Sequence, residues 1–248
     1  MSTIYILWLR QLKRYFRSKP RIIGSLGQPL LFLVALGFGL GPIFQKAGGG
    51  NYIQFLAPGI ISMGIIFTAL FSGIEIIWDR QFGFLKETLV APTSRLEIMI
   101  GRTLGGATVA SFQGILILFL SFLIGFRPEN ITILPFAFVF IFLTALLFTG
   151  LGTAIASLLE DMQGFQLIMN FLVMPLFFLS GALFSLNGLP KALTVIATIN
   201  PLSYGVDGLR GTLTNVSHFG LFPDFFVLSV ITIIILAIGS FLFSKIEI

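Results

Sequence analysis

Six stretches of this sequence carry no Asp, Glu, Lys or Arg: 22–45, 47–74, 103–126, 130–159, 162–190 and 225–244, each at least 20 residues long. A bilayer core of ~30 Å needs roughly 20 helical residues at 1.5 Å rise each, so every run is long enough to cross it. Backbone polar groups in lipid must be satisfied inside their own segment. Helices are therefore the expected structure, with Pro29, Pro58 and Pro175 tolerable only where neighbouring helices rescue the freed groups. Charged residues make up 10% of the chain and hydrophobic ones 56%, whereas soluble domains carry about 25% charged residues. Little soluble domain is expected beside the spans.

The placement of charge sets the orientation. In a six-span arrangement one side holds Arg10, Lys13, Arg14, Arg17, Lys19, Arg21, Arg80, Lys86, Arg95, Arg102 and Lys245, and the other holds Lys46, Arg127, Lys191 and Arg210. Eleven against four puts both termini in the cytoplasm by the positive-inside rule, and an odd number of spans spoils the asymmetry. The first strongly apolar run begins only after Arg21 with no Ala-x-Ala pattern behind it, so a cleaved secretory leader is not expected.

The chain reads as an all-α integral membrane protein with spans at 22–44, 53–77, 103–126, 133–157, 166–186 and 222–244. Residues 1–21 place Arg10, Lys13, Arg14 and Arg17 on one helical face, with Ile4, Tyr5, Trp8, Leu12, Tyr15 and Phe16 opposite. This is the pattern of an amphipathic interfacial helix, whose basic side meets anionic head groups or a protein partner. Residues 78–102 alternate apolar and charged, stop at Pro92 and restart at the capping box of Ser94 and Glu97, which predicts a compact cytoplasmic protrusion. Residues 187–215 are too apolar for a free loop and too short for two more spans. Two short re-entrant helices on the outer side, broken at Asn200-Pro201, fit that composition.

Chemistry of the catalytic kind has little to work with. The only histidine is His218, cysteine is absent, and no Gly-x-Ser-x-Gly or His-Glu-x-x-His motif occurs. No Gly-Lys dipeptide exists, so the chain holds no phosphate-cradling P-loop, and an ATP-driven role requires another subunit to bind the nucleotide. Ion-coupled transport calls for ionisable groups buried mid-membrane. Glu75 is the deepest candidate, and a snorkelling group or a partner of Arg80 is the plainer reading of it. The small-residue pairs Gly37/Gly41 and Gly101/Gly105 permit close helix approach, read here as packing within one subunit. Gln28, Phe32, Asn170, Met174, Phe177 and Phe178 are the candidates for lining a route through spans one and five.

The loop Arg80-Gln81-Phe82-Gly83-Phe84-Leu85-Lys86-Glu87, followed by Leu89, Pro92, Ser94-Arg95 and Gly101-Arg102, resembles the cytoplasmic signature of type-2 ABC exporter permeases, in particular the daunorubicin-resistance and nodulation-export branch. A second match runs from Pro175 through Phe178-Leu179-Ser180-Gly181-Ala182-Leu183-Phe184 and Leu189-Pro190 to Asn200-Pro201-Leu202-Ser203-Tyr204 and Val206-Asp207-Gly208-Leu209-Arg210. Ser185 departs from the proline that relatives often carry. The resemblance implies two permease copies, as a homodimer, bound to two ATP-binding-cassette subunits that hold ATP and Mg, with no cofactor on this chain and no nucleic-acid partner. It implies a coupling helix near 81–90 that seats in the ATPase through Phe84 and Leu85 and through Arg80, Gln81, Lys86 and Glu87, and an N-terminal helix along the membrane, whose Arg10, Lys13, Arg14 and Arg17 serve either as a topology anchor or to dock the ATPase. It implies export of a drug, lipid or lipid-linked glycan across a prokaryotic cytoplasmic membrane. A non-transporting scaffold or sensor subunit needs the same fold without a route, and a channel or carrier would conduct without nucleotide.

Overall fold

A computed structural model describes residues 2–90 and 93–246, without the side chains of Lys86 and Leu89. Pro92 and the Lys86 side chain, both named above, lie outside the described residues. The described residues form helices and no strand: α1 (Thr3–Arg17), α2 (Lys19–Lys46), α3 (Tyr52–Phe71), α4 (Ile74–Gln81), α5 (Phe84–Val90), α6 (Arg95–Ile124), α7 (Leu134–Leu158), α8 (Met162–Phe178), α9 (Lys191–Ile199), α10 (Pro201–Thr214) and α11 (Leu221–Ser244). Their starts are chemically marked. Asn51, Ser94, Asp161 and Asn200 each accept a backbone N–H from the first turn of α3, α6, α8 and α10, which satisfies donors that a helix cannot bond itself.

Among the described residues, five helical stretches are long and apolar enough to cross a bilayer: α2, α3 continued through α4, α6, α7 and α11. α8 is apolar but has 17 residues, about 25 Å at helical rise. The expected span over 166–186 is thus shorter in the structure. Pro175 leaves a gap in the ladder, Ser180 turns its hydroxyl onto the carbonyl of Phe177, and Gly181 takes φ +75°, so the backbone leaves the helix after Phe178.

α3 is the centre of the molecule, with 15 of its 20 residues buried, and α2, α6, α7, α8 and α10 all pack on it. α2 is its opposite, burying only Pro29, Leu33 and Gly37. In water such an apolar surface would be untenable, and it is the expected surface for lipid or a second chain. α1 runs lengthwise along α6, since Ile4 and Leu7 meet Gly101, Gln11 meets Gly105 and Tyr15 reaches Gln113. A Cβ on Gly101 would stand 2.9 Å from the carbonyl oxygen of Ile4, and one on Gly105 2.7 Å from Gln11 Cβ, so this glycine pair seats α1 on α6.

Candidate functional site

The first turn of α4 carries Glu75 and its last turn Asp79, four residues apart and hence on one face. α1 answers with Arg10 and Arg14 at the same spacing. Arg10 Nη1 and Nη2 donate to Asp79 Oδ2 and Oδ1 at 3.0 and 2.9 Å, the planar fork that a carboxylate accepts best. Arg102 Nη2, from α6, donates to Asp79 Oδ2 at 2.5 Å. Arg21 Nη1, from α2, donates to Glu75 Oε1 at 2.9 Å, and Arg14 Nη1 lies 3.6 Å from Glu75 Oε2, an ionic contact beyond hydrogen-bond length. Four helices thus meet in one cluster. The side chains of Arg102, Glu75 and Asp79 are 2%, 5% and 7% exposed, whereas those of Arg10, Arg14 and Arg21 keep about a third of their surface open. Taking such charges out of water costs several kcal/mol per ion in round terms, so each inner charge needs its partners in place.

Aromatic rings complete the joint. The Arg10 guanidinium lies 3.8 Å from the centroid of Phe84, the first residue of α5, and that of Arg14 lies 5.0 Å from Trp78 on α4. The other face of α4 holds the turn between α7 and α8: Arg80 Nη2 donates to Glu160 Oε1 at 2.9 Å, and Gln81 Nε2 to Glu160 O at 3.0 Å. Arg80 therefore pairs with Glu160, and Glu75 pairs with arginines of α1 and α2 rather than with Arg80. The reason is helical register, because Arg80 points away from the Glu75/Asp79 face.

Several sequence-derived residues sit elsewhere than the sequence suggested. Arg10 and Arg14 turn into the protein, because α4 offers two carboxylates at matching spacing. Lys13 and Arg17 alone of that face are exposed. The opposite side of α1 packs on α6, where Trp8 Nε1 donates to Thr108 Oγ1 at 3.0 Å and Tyr15 OH to Gln113 Oε1 at 2.5 Å. Gln81 closes α4 instead of opening the next helix, since Gly83 at φ +80° breaks the chain before α5. Leu85 is 0% exposed and belongs to the core of this chain, so it anchors α5 from within, while Phe82 and Val90, 80% and 84% exposed, stand open, as does Phe84 at 36%. Glu87 is also exposed. Among the route candidates Gln28, Asn170, Met174 and Phe178 are exposed and Phe32 is half-buried, but Phe177 is buried against the core. α2 and α8 each pack on α3, on which their open faces are carried.

The second sequence motif builds a cap at the end away from the charged joint. Residues 202–214 of α10 are all buried. Arg210 donates to Gly181 O at 2.9 Å with its guanidinium 4.1 Å from the Phe55 ring, and Asn200 Nδ2 donates to Leu176 O at 2.7 Å. Asp207 accepts the backbone N–H groups of His218 and Phe219 at 2.8 Å, and Tyr52 OH donates to Leu183 O at 2.9 Å. These bonds satisfy irregular backbone that lipid could not.

Long apolar helices around a central span, a charged joint at one end and a bonded cap at the other define a multi-pass membrane permease. Comparison with known proteins gives the family: the family model for ABC-2 type transporters matches residues 2–214, and the chain belongs to that family. Nodulation protein J of Rhizobium leguminosarum bv. trifolii is 31% identical over 208 residues, covering 83% of this chain and 76% of that relative. Nodulation protein J of R. leguminosarum bv. viciae is 30% identical over 194 residues, 77% and 74% of the two chains. The inner membrane transport permease YadH of Escherichia coli (strain K12) is 26% identical over 226 residues, 90% and 88% of the two chains. Permeases of this family lack an ATPase domain and pair with an ABC ATPase subunit.

Proposed function

We propose that the chain is the membrane subunit of an ATP-driven exporter that carries a hydrophobic or amphipathic molecule, a drug, lipid or lipid-linked glycan, out of the cytoplasm or inner leaflet. Six crossings are counted, with α8 as the fifth and both termini cytoplasmic, in the inner membrane of a prokaryote. The working unit is a homodimer on two ATPase subunits that bind ATP and Mg. α1, α4 and α5 form the receiving end, and α9 and α10 close the outer side. The open faces of α2 and α8, with Gln28, Phe32, Asn170, Met174 and Phe178, line the route.

The observation that carries this reading is the Arg10–Asp79–Arg102 joint. A push on α5 is passed through the Phe84–Arg10 ring contact to α1, and through Asp79 and Glu75 to α6 and α2, because each arginine is held by a buried carboxylate that cannot be left unpaired. The surface offered to the ATPase is then Phe82, Glu87 and Val90, with Arg80 and Gln81 beside them.

The test is co-purification of the ATPase subunit after mild detergent extraction. Phe82→Asp with Val90→Asp should abolish capture while leaving the permease in the membrane, because both side chains are open and their loss empties no core. Capture that is indifferent to both changes would remove α5 as the docking element. Thr88→Cys, labelled in intact cells by a membrane-impermeant maleimide, should stay unmodified, and labelling from outside would invert the topology.

A further inference from the structure

A cavity of about 220 Å³ lies between α1, α2 and α3, with Arg21, Ser25, Gln28 and Thr68 on its polar side. Phe67 and Phe71, stacked with planes 4° apart, form its apolar wall. Arg21 commits one terminal nitrogen to Glu75, and a guanidinium carries five N–H donors in a planar fork. Nor is its charge cancelled there. Glu75 is shared with Arg14, and the whole cluster sets Arg10, Arg14, Arg21 and Arg102 against two carboxylates, an excess of two positive charges among the described residues.

An excess guanidinium on the wall of a small polar cavity selects an anion, and the fork geometry suits a phosphate group. The volume is below the ~300–1,000 Å³ of sites that enclose a drug-sized molecule, so only a head group fits. The same face of α2 continues in steps of three and four residues from Arg21 through Gly24 and Gln28 to Leu31, Val34 and Phe38, the last three 69%, 42% and 60% exposed. Charge gives way to polarity and then to bare apolar surface along one line, the pattern that matches a molecule with an anionic head and a hydrocarbon tail.

We infer that this cavity binds the phosphate-bearing head of an amphipathic molecule of the inner leaflet, with Arg21 on the phosphate, Gln28 and Thr68 on neighbouring polar atoms and the tail along α2. The inference rests on the cytoplasmic placement of the α1–α2 junction proposed above, which the Thr88→Cys labelling checks separately.

The experiment uses the purified permease in phosphatidylcholine nanodiscs containing traces of diazirine-tailed phosphatidic acid or of diazirine-tailed diacylglycerol, which lacks the phosphate. Peptide mapping after irradiation should place the phosphatidic acid label on α2 beyond Gln28, at least fivefold above diacylglycerol. Arg21→Gln should remove most of the difference. Gly24→Leu should do the same by filling the cavity, since a Cβ at Gly24 meets nothing within 4 Å, and a thermal melt matching the parent checks that the variant is folded. Equal labelling by the two probes, or labelling unmoved by Gly24→Leu, overturns the inference. Competition separates the sources of phosphate: displacement by unlabelled phosphatidic acid but not by glycerol 3-phosphate supports a membrane-borne head group, and equal displacement by both refutes it in favour of a free phosphate.

Discussion

Arg10 holds Asp79 through both of its terminal nitrogens, at 3.0 and 2.9 Å, while its guanidinium faces the Phe84 ring at 3.8 Å. One side chain of α1 therefore fixes the angle between α4 and α5. Arg10→Ala removes a paired and partly exposed group and leaves Asp79 with Arg102, so the fold should survive with a loss of about 1.5–3 kcal/mol, the range for a hydrogen bond to a charged group. Substrate-stimulated ATP hydrolysis by the reconstituted complex should fall much further than stability does. Arg10→Lys keeps the charge and loses the fork, so it should recover stability better than coupling. Parallel recovery of both would reduce Arg10 to a structural residue.

Asp79 is the harder residue to lose. Its removal strands Arg102, whose side chain is 2% exposed and whose Nε and Nη1 already lack partners among the described residues. Breaking a buried pair from one side costs roughly 3–5 kcal/mol, whereas replacing both partners with apolar groups of similar size is often tolerated. Asp79→Leu should therefore collapse the yield of folded protein in mild detergent. Adding Arg102→Met should restore much of it, read by size-exclusion profile and thermal unfolding. A double variant no better than the single one would locate the damage at Arg10 instead.

The helical class, the multi-pass membrane character and the family were legible because each is written in composition or in contiguous motifs: charge-free runs for the helices, the 80–102 loop for the family. The capping of α6 by Ser94 was legible for the same reason, being a contact within one turn. The charged joint is not legible in the sequence, since pairing Arg10 with Asp79 spans 69 positions and Arg102 arrives from a third helix. A trace of it existed in two i, i+4 pairs, Arg10/Arg14 and Glu75/Asp79, whose equal spacing allows two helices to lock face to face. The burial of Leu85 and Phe177 was also hidden, because an apolar side chain in a membrane protein looks the same whether it faces lipid, a partner or its own core. The short α8 shows a different gap: a proline and a glycine count the same in an apolar run but end a helix in space.

Asp224, in the first turn of α11, is fully buried within hydrogen-bonding reach of the Asp207 carboxyl, and neither of its oxygens has an N–H or O–H donor from another residue type among the described residues. Asp207 already accepts two backbone N–H groups. Asp224→Asn is isosteric, removes one of two neighbouring acids and supplies N–H donors to the other. Thermal stability should rise by about 1–3 kcal/mol, the cost typical of a buried polar group without a partner. A fall of similar size would mean that a bound cation or proton network uses both carboxyls.

The packing of α7 on the end of α3 gives a prediction that does not involve charge. A Cβ on Gly152 would overlap the carbonyl oxygen of Leu70 and stand 3.0 Å from its Cα, and one on Gly73 would strike the carbonyl of Gly152 in turn. These are backbone atoms of two buried helices, which cannot rotate away as a side chain can, so the helices must separate along their length. Gly152→Ala should cost about 1–3 kcal/mol, as overpacking does. Gly24→Ala, where the added methyl meets nothing within 4 Å, should be neutral or stabilise by up to about 1 kcal/mol through helix propensity. Parallel melts of the two variants in one detergent measure the contrast directly. If Gly152→Ala melts no lower than Gly24→Ala, α7 does not approach α3 that closely in the membrane.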